Sequence, residues 1–149
     1  MNIRTHNYKN ADLYIKKEII DSFKDHLKSI DEESSLKDIK LSIRDLCEKL
    51  GFINRYKLFY GTNMQIFSYS EEKSLAVCNQ TGHFGLSYYD LCKLESLYIR
   101  KLINAAIYIC PTKQSKFVKS NATTTDKLQE DLTYFKEIFN VPIYFIGVE

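Results

Sequence analysis

The sequence of 149 residues predicts an α/β (α+β) fold, a mixed five-stranded sheet flanked by helices in the order ααβββαβαβ. Three observations lead there. Apolar residues recur at three- and four-residue spacing in four segments, the mark of helices with one buried stripe. Three short Tyr-, Phe- and Ile-rich runs follow one another with only polar turns between them, as antiparallel neighbours do. Two continuous apolar runs then alternate with the last two helical segments, so a strand–helix–strand arrangement completes the sheet. A chain of this length can bury a full core without staples, so a single domain over 1–149 is expected, with its core from about residue 52.

Residues 12–30 place Leu13, Ile19, Ile20, Phe23, Leu27 and Ile30 on one helical stripe, with lysines and acids between them. A second helix follows. Ser35 can cap its first turn, Ile39, Ile43, Leu46 and Leu50 form its stripe, and Gly51 suits the position just beyond its end because glycine enters the left-handed region cheaply. Strands are expected near 55–60, 64–69 and 74–80, separated by "GTN" and "SEEK". "SYYDLCKLESLYIRKLIN" opens with Ser87 three residues before Asp90, a capping-box-like spacing, and continues at helical period. "AAIYIC", ended by Pro111, is a buried strand; "TKQSKFVKSNATT" is a polar basic loop. The last helix is capped by Thr124 or Thr125, and "VPIYFIG" closes the sheet.

Cys47, Cys78, Cys92 and Cys110 form no CxxC pair and have no histidine at ligand spacing, the pattern of reduced intracellular thiols, not of disulfides or a zinc site. No apolar run approaches the roughly 20 residues of a membrane span, so a soluble cytoplasmic protein without membrane contact is expected. The net charge is +2, but residues 51–120 carry nine Lys or Arg against four acids. That excess hints at an anionic partner, although a solvated face has the same look.

"LAVCNQTGHFGLSYYDLCKL", "INAAIYICPTK" and "VPIYFIGVE" together resemble the BglII-type restriction endonucleases of the PD-(D/E)xK superfamily. In that family a V-E-V-Q strand and G-N precede a Y-x-D-L helix, an apolar strand with a proline and basic residues, and a closing v-P-i-x-x-I-G-i-E strand. The resemblance spans roughly 36–149 and implies a restriction-endonuclease-like fold. It also implies phosphodiester hydrolysis, in which two carboxylates hold a divalent cation while a glutamine positions water.

Carried over by position, the family's glutamate falls on Cys78 and its glutamine on Gln80; strand alternation keeps Ala76, Cys78 and Gln80 on one face. The other carboxylate falls on Ser68, Tyr69 or Ser70. A protonated thiol is a poor magnesium ligand, so the site is expected to be degenerate, with no metal and no cofactor. Migrated carboxylates are the alternative: Glu71 and Glu72 in the adjacent turn would make the chain an active magnesium-dependent DNA endonuclease. A Cys78–His83 nucleophile and base lacks any accompanying oxyanion-hole motif. Lys113, Lys116 and Lys119 suit phosphate oxygens, as does Arg100, although a helix C-terminus also explains the arginine. Tyr88, Tyr89 and Tyr98 suit a protein interface, and the resemblance implies a homodimer.

The leading expectation is a degenerate nuclease fold that acts by binding DNA or a protein partner, as a regulatory or inhibitory factor in conflicts between phage or mobile elements and hosts. A protein-binding inhibitor without DNA affinity is the remaining reading.

Overall fold

The computed structural model describes every residue except Lys119. Its sheet has six strands, ordered β1-β6-β5-β4-β3-β2: β1 (Ile3–Tyr8), β2 (Ile53–Lys57), β3 (Gln65–Ser70), β4 (Leu75–Asn79), β5 (Ala105–Pro111) and β6 (Ile143–Val148). β2, β3 and β4 pair antiparallel, as their tight turns require; β4, β5 and β6 pair parallel through helical crossovers. The sheet is mixed, with one strand more than expected. β1 pairs antiparallel with β6, with Ile3 opposite Val148. Its four central residues are exposed and polar, as suits an edge strand, so it carries no apolar alternation to betray it.

Among the described residues, four α-helices cover both faces: α1 (Lys17–Ser29), α2 (Leu36–Lys49), α3 (Phe84–Ile99) and α4 (Thr125–Tyr134). The stripes of α1 and α2, including Phe23, Leu27, Ile39 and Ile43, pack on Leu75, Val77, Ile107 and Ile146. On the opposite face, Leu91, Leu94 and Leu97 of α3 and Leu128 and Leu132 of α4 pack on Ala76, Cys78, Tyr108 and Phe145. Alternation along each strand divides its side chains between these two cores. Among the described residues, no helix is long and apolar enough to cross a membrane.

Local signals explain most boundaries. Ser35 and Asp38 form a reciprocal capping box on α2, and Gly51 follows that helix at φ 79°. Thr124 caps α4 by accepting from Lys127 N. Two expectations need correction. The first helix starts at Lys17, because residues 11–13 make a separate short 3-10 turn; Leu13 is therefore 77% exposed instead of lying in the stripe. Ser87 and Asp90 are not a cap either. α3 begins three residues earlier, with the His83 side chain accepting from Gly85 N at 3.0 Å. Ser87 is buried and hydrogen-bonds Thr123, while Asp90 turns toward β4.

Gly147 on β6 faces the start of α4. A Cβ there would lie 2.6 Å from Thr112 Cγ2 and 2.8 Å from Thr125 Oγ1. Gly147→Ala is expected to cost about 1–3 kcal/mol through overpacking, measured as a lowered urea midpoint. An unchanged midpoint would mean that both threonines can move aside.

Candidate functional site

The C-terminal ends of β4 and β5 lie at one edge of the sheet, since Asn79 is in register with Ile109. Beside β4 at this edge opens a cleft of about 350 Å³ between the polar face of α2 and the first turns of α3. Its lining includes Lys40 and Arg44 from α2, Arg55 from β2, Gln65 and Phe67 from β3, Cys78, Asn79 and Gln80 around the end of β4, and Asp90 from α3. The β2–β3 register skips Arg55, whose φ of 54° interrupts the ladder.

Cys78 is 1% exposed. Burial pushes its thiol well above the ordinary range, Asp90 adds to that and Lys93 opposes it, so the group is neutral near physiological pH. Gln80 is engaged at both ends of its amide: its Nε2 donates to Asp90 Oδ2 at 2.8 Å and its Oε1 accepts from Gly82 N at 3.0 Å. Asp90 is in turn paired with Lys93 Nζ at 2.7 Å, both side chains being largely shielded from solvent. The single carboxylate of the cleft is thus already neutralised. Lys40, Arg44 and Arg55 leave the site cationic, and Arg44 is stacked over the Phe67 ring at 5.4 Å.

A model of the restriction endonuclease BglII/BglIII family matches residues 3–148. The chain belongs to that family. The crystal structure of free BglII superposes on it with a TM-score of 0.70 at 17% identity, covering 100% of this chain and 80% of that one, a likeness that speaks for the fold. No curated protein matches the chain.

Members of the BglII family are expected to use magnesium, and the donor set here does not fit that ion. A hard divalent cation wants several oxygen ligands, charged ones foremost. The cleft offers a neutral buried thiol, amides and one carboxylate already bound to a lysine. Among the described residues, no group of three or more His, Cys, Asp or Glu side chains could hold a metal.

The other expected site residues disperse. Ser68 is buried against Asn54, Tyr69 donates to Leu102 O, and Ser70 is buried beside the next turn, accepting from Lys73 N. Glu71 and Glu72 are exposed in the turn that precedes β4, with Glu72 near Lys73, so the stretch of β4 from Leu75 to Cys78 separates them from the cleft, about 10 Å at 3.3 Å per residue. His83 is occupied as the α3 cap and makes no bond to Cys78. Arg100 is the residue that follows α3, donating to Leu58 O and lying over Phe59, and it does not line the cleft. Lys113 and Lys116 follow the C-terminal end of β5 and are not among the residues that line the cleft; Lys113 is exposed, while Lys116 reaches Glu32 O and approaches Glu33 at 3.9 Å. Lys119 lies outside the described residues.

Three of the four thiols, Cys47, Cys78 and Cys110, are buried and Cys92 is exposed; all four are free. Lys40, Arg44, Arg55 and Asn79 are among the cleft residues that the sequence did not single out, and Asp90 reads there as part of a helix cap and not as part of the site. For Asp90 a signal existed, its place in the Y-x-D-L motif. Lys40 and Arg44 are an i, i+4 pair whose convergence with Arg55 and Asn79 depends on the tertiary fold.

Proposed function

We propose that this chain is a BglII-family protein that binds the DNA backbone along the edge formed by its cleft and by Lys113 and Lys116, without cutting it. One observation carries this reading: where metal-dependent cleavage needs two free carboxylates, the cleft has one, bound to Lys93, among three cations. Such a site attracts phosphate but lacks the means to assemble a metal-activated water. A binding protein of this kind suits a regulatory or inhibitory role, blocking access to DNA. An exposed apolar patch with Ile99 and Ile138, 69% and 61% exposed, favours a protein partner as the second reading.

Plasmid and linear duplex, incubated with magnesium and then manganese, are expected to remain intact with the wild type and with Glu71→Ala/Glu72→Ala. Fluorescence anisotropy is expected to show duplex binding that weakens steeply with salt, by a slope of about 0.9 per phosphate contacted. Lys113→Glu/Lys116→Glu is expected to weaken it further. Cleavage by the wild type that disappears in the double alanine would overturn this reading in favour of migrated carboxylates. Absence of binding at about 50 mM salt would leave the protein partner.

A further inference from the structure

Two buried N–H donors in the cleft, Arg44 Nε and Asn79 Nδ2, have no partner among the described residues. Asn79 is only 8% exposed, and β4 alternation turns it to the α2 face, away from Cys78 and toward the helix that carries Lys40 and Arg44. A buried donor without an acceptor is costly, and two in one cationic cleft call for the same remedy, a ligand that brings several acceptor oxygens and negative charge. Asp90 cannot serve, being held by Gln80 and Lys93. A tetrahedral oxyanion can.

We propose that Arg44, Asn79, Lys40 and Arg55 form a phosphate site that works without a metal ion, the cations supplying the charge neutralisation and the two unpaired donors fixing the oxygens. This rests on the binding reading above and adds to it the residues that grip the phosphate. Arg44 is well placed for the task, because the Phe67 ring beneath its guanidinium restricts that plane. The phosphate could be part of a DNA backbone or a free monoester, and the measurement separates the two.

The test is ¹H–¹⁵N NMR of the full chain in EDTA at low salt, following the Asn79 side-chain amide and the Arg44 Nε–H while inorganic phosphate, thymidine 5′-monophosphate or a short duplex is added. Both signals are expected to move with the duplex. Movement with the duplex assigns the site to the DNA backbone; movement with phosphate or the monoester alone assigns it to a small phosphorylated ligand. Failure of both signals to move with any of the three would overturn the site. Affinity for whichever probe binds is the second readout. Asn79→Asp is expected to weaken it about tenfold or more, and so is Arg44→Lys, which keeps the charge and removes the Nε donor. Should Asn79→Asp fail to fold, Arg44→Lys decides: wild-type affinity there would reduce Arg44 to a diffuse charge and overturn the proposed geometry. Binding that requires magnesium overturns it also. Plasmid cleavage, by contrast, would sink the non-cleaving reading while leaving shifts measured in EDTA intact.

Discussion

Cys78→Glu is expected to destabilise the protein by about 3–5 kcal/mol at pH 7, the usual cost of an uncompensated buried charge. That is a large part of the roughly 5–15 kcal/mol that holds a domain together. The position is 1% exposed, packed among Ala76, Leu91 and Tyr108, and Lys93, the cation that acts on it, is already paired with Asp90. Burial would raise the new carboxyl's pKa above its unfolded value. The penalty is then small below the unfolded pKa of about 4.3 and grows as pH rises through and beyond it, because the folded state must either keep a proton the unfolded state has released or bury a charge. Urea titrations at pH 5 and pH 8 check this: the gap between variant and wild type should widen at pH 8. Equal stability at pH 8 would mean that a cation reaches residue 78, and that the cleft accommodates a metal-binding carboxylate far more readily than its packing suggests.

Phe145→Ala is expected to cost about 3–5 kcal/mol as well, by a different route. The ring is fully buried on β6, with its centroid 5.6 Å from that of Tyr108 on β5 and 6.3 Å from that of His6 on β1. Its removal opens a cavity where the edge strand β1 and the parallel centre of the sheet share one contact, and neighbours anchored on three strands cannot collapse into it easily. The change should appear as a lower urea midpoint with little change in slope. A loss under about 1 kcal/mol would mean that the Tyr108 side of the core relaxes to fill the space.

The same strand pairing shows where sequence reading stopped. "VPIYFIG" announces a buried strand by its own composition, and β6 is there. "IRTHNY" announces nothing, and β1 exists because β6 offers it a free edge about 140 residues later in the chain. The third helix follows the same logic: its apolar period was legible, but the spacing of Ser87 and Asp90 imitates a cap only as long as their true partners, Thr123 and Gln80, are unknown.

By itself the sequence determined the amphipathic helices, the antiparallel run of β2 to β4, the parallel closing strands and the family pattern, because periodicity, turn residues and motif order act over a few neighbouring positions. The resemblance led to the expectation that Cys78 and Gln80 stand where the family pattern has its glutamate and glutamine. Only the tertiary structure decided what surrounds them. It set Glu71 and Glu72 at the far end of β4, drew Lys40, Arg44, Arg55 and Asn79 into one cleft, and used up Asp90 on Lys93. These residues come from α2, β2, β4 and α3, and electrostatic and hydrogen-bonding environment is a property of distance in space, which spacing along a chain does not encode.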